Sequence, residues 1–92
     1  MANPPAFQLY AGEYYVDTME WTAEEVGVYT RLLLAEWANG PLTFDIKRLA
    51  RVAGIDQKKF KKVFATIQSK FLFLDEKKIY NKRLEETREN LS

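Results

Sequence analysis

Apolar residues follow a helical period most clearly in the segment after Asp56. They recur there at spacings of three and four residues and form one continuous stripe. This spacing predicts an amphipathic helix from Gln57 to about Lys70, with Asp56 as its cap. The residues expected to face the core are Phe60, Val63, Phe64, Ile67 and Phe71.

A longer helix is predicted over residues 23–39. Thr22 and Glu25 have the spacing of a capping box at its start, and Gly40-Pro41 marks its end. Apolar residues lie around most of its girth. A helix of this kind packs on more than one side, so we expect it at the centre of the fold.

Two residues within this helix depart from its apolar pattern. Gly27 lies in the interior, where glycine costs about 1 kcal/mol relative to alanine, so we expect it to mark close packing. Arg31 is the one basic residue among the first 45, which also hold seven acidic residues. Pairing with a nearby carboxylate is therefore expected for Arg31.

A short helix is predicted from Ile46 to about Ala53. Asp45 caps it, and Leu49 and Val52 are expected to face inward. Only Gly54-Ile55-Asp56 separates this helix from the next one. Such a short connection forces a sharp turn, as in a helix-turn-helix pair.

The remaining segments predict extended structure and one last helix. Residues 7–16 are rich in aromatic side chains without a helical period, which predicts an extended stretch laid across the core. Residues 71–74 and 79–82 predict the two strands of a hairpin, with residues 42–44 as a third strand. A final helix is predicted over residues 84–91.

These elements predict an α+β fold that is mostly helical. Their order is that of a winged helix, which is a helix-turn-helix pair followed by a small β-hairpin wing, here with an additional C-terminal helix. A composition of 47% hydrophobic and 14% aromatic residues suffices for one core in 92 residues. We expect a single domain over residues 1–92, and its charged end suits the N-terminal domain of a longer protein.

The composition also excludes several classes of chemistry. The chain has neither cysteine nor histidine, which removes thiol chemistry, His-dependent catalytic triads and ordinary zinc sites. No carboxylate spacing or glycine-rich loop indicates a metal or a phosphate cofactor. We therefore expect a protein that is not an enzyme and needs no cofactor. Without a signal peptide or a long apolar run, a cytoplasmic location in a bacterial or phage-infected cell is expected.

Charge is divided between the two halves of the chain. Residues 1–45 carry a net charge of −6 and residues 46–92 a net charge of +7. Residues 46–83 alone hold twelve basic residues and three acidic ones. A basic region of this kind favours a surface that binds a polyanion, and double-stranded DNA is the expected partner.

The candidate DNA-binding residues come from three elements. On the second helix of the pair, two lysines lie opposite the apolar stripe and three polar residues flank it, which is the side that enters the major groove in a helix-turn-helix protein. The first helix of the pair and the hairpin tip contribute the rest. The candidates are Lys47, Arg48, Arg51, Gln57, Lys58, Lys59, Lys61, Lys62, Lys77 and Lys78.

An alternative interpretation needs no DNA. A lysine-rich helix face can simply be solvated, and an acidic face on one copy can meet a basic face on another. The acidic half would then present Tyr10, Tyr14, Tyr15 and Trp21 to a partner, in self-association or in binding to a replicative helicase or its loader. No exposed aromatic residue is expected among the basic groups, which argues against stacking of single-stranded bases.

An ordered set of short motifs spans nearly the whole chain: Phe7-x-x-Tyr10-x-Gly12-Glu13-Tyr14-x-x-Asp17-Thr18, Glu25-x-Gly27-x-Tyr29-x-Arg31-Leu-Leu33, Trp37, Gly40-x-Leu42, Leu49-Ala50-Arg51 and Asn81-x-Arg83-Leu84-Glu85. With this set the chain resembles the YdaU-like domain-of-unknown-function family of phage and prophage proteins. The resemblance implies a winged-helix fold, a place near the N-terminus of proteins similar to phage replication initiators and replisome organisers, and no established catalytic residue.

Overall fold

The computed structural model describes residues 11–91, which form five helices and three short strands. In chain order the elements are α1 (Ala11–Thr18), α2 (Ala23–Asn39), β1 (Leu42–Thr43), α3 (Ile46–Ala53), α4 (Gln57–Ile67), β2 (Leu72–Phe73), β3 (Lys78–Tyr80) and α5 (Lys82–Leu91). A single 3-10 turn, Gln68–Lys70, continues α4. The fold is mostly helical α+β, as the sequence predicts.

Helix α2 lies at the centre and packs against α3, α4, α5 and β1. Its predicted capping box is present: the Glu25 N–H donates to the Thr22 hydroxyl oxygen at 3.2 Å, and the Thr22 N–H donates to the Glu25 carboxylate at 2.8 Å. The core around this helix is apolar and continuous. Its buried members include Val28, Tyr29, Leu32, Leu33, Trp37, Leu49, Phe60, Ile67, Ile79 and Leu84.

Helices α3 and α4 form the predicted pair. The Asp45 carboxylate accepts from the Lys47 N–H at 2.9 Å, and the Asp56 carboxylate accepts from the Lys59 N–H at 2.9 Å, so both caps are confirmed. Gly54 ends α3 in the left-handed conformation, with φ of 81°. The five residues of the predicted α4 stripe, from Phe60 to Phe71, are all buried.

One inward residue of α3 was wrongly predicted. Val52 is 39% exposed, although Leu49 is buried as expected. Helix α3 is only eight residues long and turns its Leu49, Ala50 and Ala53 side chains into the core. Val52 lies beyond the edge of that narrow stripe and lines a surface depression instead.

The three strands form one antiparallel sheet in the order β1-β3-β2. Ile79 of the central strand pairs with Leu42 of β1 on one side and with Phe73 of β2 on the other. This register confirms the hairpin and the third strand. Because Ile79 is buried, the sheet is held against the helical core through its middle strand.

The N-terminal segment was wrongly predicted as extended. Residues 11–16 belong to α1, while residues 7–10 lie outside the described part of the chain. Tyr14 stacks on Tyr29 with ring centroids 5.9 Å apart, and its hydroxyl contacts that of Thr30. Exposed apolar residues on the other side of α1 hide the helical period, so its packing on α2 was invisible in the pattern.

Two expectations for the interior of α2 were also wrong. A Cβ atom at Gly27 would meet no atom within 4 Å, so this glycine does not mark close packing. The Arg31 guanidinium lies over Gly54 at the end of α3 rather than beside a described carboxylate. A cation at this position faces the negative end of the α3 dipole, which explains its placement without an ion pair.

Candidate functional site

All ten side chains predicted to bind DNA are exposed to solvent. We call them the cationic set: Lys47, Arg48, Arg51, Gln57, Lys58, Lys59, Lys61, Lys62, Lys77 and Lys78. They come from α3, α4, the hairpin loop and β3. The fold brings these separate elements together around the sheet and the α3–α4 turn.

Helix α3 divides its cations between two depressions. Lys47 and Arg51, one helical turn apart, line a depression of about 350 Å³ that also contains Gln57 at the start of α4. Arg48 lines a second depression, of about 370 Å³, together with Lys78 of β3. The structure therefore joins Arg48 to a residue that is 30 positions away in the sequence.

Helix α4 displays its lysines as the helical period requires. Lys58 and Lys62 lie opposite Phe60, which is fully buried, while Lys59 and Lys61 flank the buried stripe. The Asp56 carboxylate accepts a hydrogen bond from the Lys59 N–H at the start of the helix. The outer side of α4 carries four lysines over its first two turns, and the exposed Asp56 carboxylate at the helix start is their one acidic neighbour in this helix.

The hairpin places its two lysines differently from each other. Lys77 lies in the loop, as predicted, but Lys78 is the first residue of β3 and pairs with Thr43. The Leu74 N–H donates to the Lys78 carbonyl at 2.8 Å, which shortens the loop to residues 75–77. The prediction that Lys78 lies at the hairpin tip is therefore wrong.

Ion pairs involve three of the basic residues that lie outside the cationic set. Among residues 11–91, the ion pairs join Lys70 to Asp17 at 3.5 Å, Arg83 to Glu13, and Arg88 to Glu85 at 3.6 Å. No member of the cationic set takes part in them. The acidic half thus neutralises Lys70 and Arg83 while it fastens α1 to the body of the protein, and it leaves the cationic set available.

The hairpin also exposes an aromatic ring, contrary to prediction. Phe73 of β2 is 60% exposed, and the side chains of Leu72 and Leu74, which project to the other face of the strand, are exposed as well. Strand β2 has only two residues and forms an edge of the sheet, so it extends beyond the helices that would otherwise cover it. We call these three residues the apolar strip.

The predicted partner-facing aromatics of the acidic half are only partly available. Tyr14 and Trp21 are half-buried against Tyr29, whereas Tyr15 is 66% exposed. Tyr10 lies outside the described residues. Val16 and Met19 are exposed beside Tyr15, so α1 carries a small apolar surface of different composition from the predicted one.

A buried polar network between α2 and α5 was missed by the sequence analysis. The Asn81 N–H donates to both carboxylate oxygens of Glu36 at 3.0 Å. Its side-chain amide donates to the Tyr29 hydroxyl and to the Lys70 carbonyl, each at 3.0 Å, and its side-chain oxygen accepts from the Leu84 N–H at 3.0 Å. All five of these bonds tie the end of the hairpin to α2, to α5 and to the end of the 3-10 turn.

We call this network the α2–α5 seam, and it includes Tyr29, Glu36, Asn81, Glu85 and Arg88. Glu36 has no exposed surface. The spacing contained a signal for this, because Glu36 follows the buried residues Tyr29, Leu32 and Leu33 by seven, four and three positions. A glutamate on the apolar side of a central helix must find polar partners inside the protein.

Burial changes the acidity of two groups in the seam. Loss of hydration, together with a hydrogen bond to the Glu85 carboxyl, raises the pKa of Glu36 to about 9. Burial, followed by repulsion from Asp17, raises the pKa of Tyr29 to about 12. At neutral pH the Glu36 carboxyl group is therefore protonated and donates a hydrogen bond to the Glu85 carboxyl group. The Arg88 guanidinium lies 3.6 Å from that Glu85 group.

Two other features are absent from the described residues. None of their helices has the length and apolar character needed to cross a membrane. Among residues 11–91, no group of three or more carboxylate side chains is arranged to hold a metal ion.

Comparison with known proteins shows the family of the chain. Over 71 residues it is 35% identical to the uncharacterized protein YdaU of Escherichia coli (strain K12). The match covers 77% of this chain but only 25% of the length of YdaU. No solved structure matches the chain significantly. A family model described as protein of unknown function (DUF1376) matches residues 5–89, and the chain therefore belongs to this YdaU-like family.

Proposed function

We propose that this chain is a DNA-binding winged-helix domain of a phage or prophage protein of the replication-initiation type. It acts on double-stranded DNA in the bacterial cytoplasm by binding rather than by catalysis, and it needs no cofactor. Helix α4 lies in the major groove, and the β2–β3 hairpin acts as the wing against the adjacent backbone.

The element order supports the winged-helix assignment. Helix α2, strand β1, the α3–α4 pair and the hairpin follow one another in the order that this fold requires. Strand β1 pairs with β3, the returning strand of the hairpin, and so closes the small sheet beside the helix pair. Helices α1 and α5 are additions at the two ends of that arrangement.

The observation that carries the proposal is the outer side of α4. Lys58 and Lys62 project away from the buried Phe60, and neither of them forms an ion pair with a described residue. Lysines in this position neutralise phosphates and release counterions, which is the main source of affinity in protein–DNA binding. Lys47, Arg51 and Gln57 extend the same surface around the α3–α4 turn.

A salt titration of binding to duplex DNA tests the proposal. The affinity should fall steeply with salt, and Lys58→Ala or Lys62→Ala should each reduce the slope of log K against log salt by about 1. Lys82→Ala is the matched control, because Lys82 is an exposed lysine outside the cationic set. Absence of binding to duplex DNA at low salt would refute the proposal.

A second candidate function has its own observation. The exposed cluster of Tyr15 and Val16 on α1 and Met19 in the turn after it favours a protein contact, since contiguous apolar surface often marks an interface. The domain would then serve self-association, or binding to a replicative helicase or its loader, as an interaction module without DNA contact.

Sedimentation velocity over a wide concentration range tests this second function. Self-association should raise the sedimentation coefficient with concentration, and Tyr15→Ser with Met19→Ser should abolish that increase. Leu34→Ser is the control, because Leu34 is an exposed apolar residue on α2 rather than on α1. A chain that remains monomeric at every concentration would exclude self-association.

A further inference from the structure

The apolar strip and the cationic set occupy neighbouring parts of the surface. The Phe73 ring packs edge-on against Phe44 with centroids 5.1 Å apart, and Phe44 in turn lies 5.9 Å from Phe64 of α4. Lys61 precedes Phe64 by three residues and therefore lies on the same flank of α4. The exposed ring is thus connected through two packed rings to the lysine-bearing helix.

The hairpin loop is held next to the same aromatic contacts. The Phe44 N–H donates to the Lys77 carbonyl at 2.6 Å, so the hairpin loop is held beside Phe44 and the Phe73 ring. In the same loop the Asp75 carboxylate accepts from the Lys77 N–H at 2.7 Å, and Glu76 is exposed. The loop, residues 75–77, carries a net charge of −1, so the lysines that bind a phosphate near Phe73 are those of α4.

Phe73 is both exposed and held in place. Its edge-on contact with Phe44 restricts the ring, so little conformational entropy is lost when a flat ligand stacks on it. An exposed aromatic ring packed through Phe44 and Phe64 onto the lysine-bearing helix α4 matches the chemistry of an unpaired nucleotide, which offers a flat base and an anionic phosphate. A paired base in duplex DNA has both faces covered by its neighbours and offers no such surface.

We infer that the exposed ring of Phe73 binds unpaired bases of DNA, so that the domain contacts single-stranded or locally opened DNA as well as duplex. This inference rests on the proposed DNA-binding function. It adds a second kind of ligand, the unpaired base, which the cationic set alone does not distinguish from a paired base. Phosphates bind to the lysines, and the base stacks on the Phe73 ring.

Fluorescence anisotropy with the full chain tests the inference. A substitution removes the Phe73 ring, and an abasic strand removes the bases, so the two contributions are measured separately. The probes are a labelled 12-nucleotide oligothymidine and an abasic strand of the same length, which keeps the phosphates. The wild-type chain should bind oligothymidine on the order of tenfold more tightly than the abasic strand. Phe73→Ala should lose this preference and keep its affinity for the abasic strand and for duplex DNA.

Two further variants serve as controls. Phe73→Leu keeps apolar contact with Phe44 but has no ring to stack on, so it carries the test if circular dichroism shows that Phe73→Ala does not fold. Tyr15→Ala removes an equally exposed aromatic residue on α1 and should leave the preference intact.

The possible failures are distinct. Duplex binding without any preference for oligothymidine over the abasic strand would overturn this inference and leave the proposed function standing. An unchanged preference in Phe73→Leu would also overturn it. A lower sedimentation coefficient of Phe73→Leu relative to wild type would assign the apolar strip to protein contact and overturn it. Absence of binding to every DNA, duplex included, would refute the proposed function as well.

Discussion

Lys62 on α4 and Arg88 on α5 both carry a positive charge, but their surroundings differ completely. Lys62 is exposed and has no ion-pair partner among the described residues. Arg88 is half-buried, donates from Nε to the Trp37 carbonyl at 2.8 Å and lies beside Glu85. The first belongs to the cationic set and the second to the α2–α5 seam.

This difference separates charges that stabilise the fold from charges that face a ligand. A buried hydrogen-bonded charge cannot be removed without leaving its partners unpaired, whereas an exposed unpaired lysine can be removed at almost no cost. The motifs that carry the family resemblance include Tyr29, Trp37, Asn81 and Glu85, which lie in or beside the seam. Of the cationic set, they include only Arg51.

The largest effect is expected at Asn81. Asn81→Ala removes three side-chain hydrogen bonds, one of them to the N–H of Leu84 at the start of α5, and should lower the free energy of unfolding by about 3 kcal/mol. Urea unfolding followed by circular dichroism measures it. Asn90→Ala, an exposed asparagine on α5, is the control and should change little. Equal losses of stability in the two variants would contradict a stabilising role of the α2–α5 seam.

The second effect is a dependence of stability on pH. Folded Glu36 keeps a proton up to a pKa of about 9, whereas the unfolded chain releases it near the ordinary pKa of glutamate. The unfolded state therefore binds fewer protons between these values, and the free energy of unfolding falls as pH rises, by about 2 kcal/mol from pH 6 to pH 8. The chain has no histidine, so no other side chain with an ordinary pKa titrates in this window.

Glu36→Gln should remove most of this pH dependence, because the amide donates to Glu85 as the protonated acid does. Urea unfolding at pH 6, 7 and 8 measures the slope for both chains. Glu86→Gln, an exposed neighbour of Glu85, should keep the wild-type slope. A slope in Glu36→Gln as steep as that of wild type would show that Glu36 is ionised in the folded protein.

A smaller effect of opposite sign is expected on the open side of α2. Gly27 lies in the helix interior, and a Cβ atom there meets nothing within 4 Å. Gly27→Ala should therefore raise the free energy of unfolding by up to about 1 kcal/mol, measured by urea or thermal unfolding. Gly54→Ala is the contrasting variant, because Gly54 has a φ of 81° and should lose stability. A loss of stability in Gly27→Ala would mean that other residues pack against α2 at this position.

The smallest effect on stability is expected in the cationic set. Lys58→Ala and Lys62→Ala should each change the free energy of unfolding by less than about 0.5 kcal/mol, since both side chains are exposed and unpaired. Arg88→Ala should be clearly destabilising in the same urea assay. If the α4 lysine variants lose as much stability as Arg88→Ala, the two classes of charge are not distinct.

Sequence reasoning succeeded where a local rule is sufficient. Capping by Thr22, Asp45 and Asp56, the end of α3 at Gly54, and the apolar stripe of α4 depend on residues a few positions apart. It failed where distant contacts decide, as in α1, whose Tyr14 is placed by Tyr29 and Thr30 of another helix. Val52 and Phe73 were misplaced for the same reason, because the exposure of each depends on elements that lie beside it only in the folded chain.

The sequence by itself determined the helices, their caps, the hairpin and the separation of acidic from basic residues, because these follow from spacing and composition. Only the tertiary structure decided which charges face solvent. It buried Glu36 beside Glu85, placed Arg88 against α2 and left the α4 lysines without an ion-pair partner among the described residues. It also exposed Phe73 at the edge of the sheet. The physical reason is that hydration and pairing of a charge depend on neighbours brought together across the fold, and a linear pattern of residues does not contain those distances.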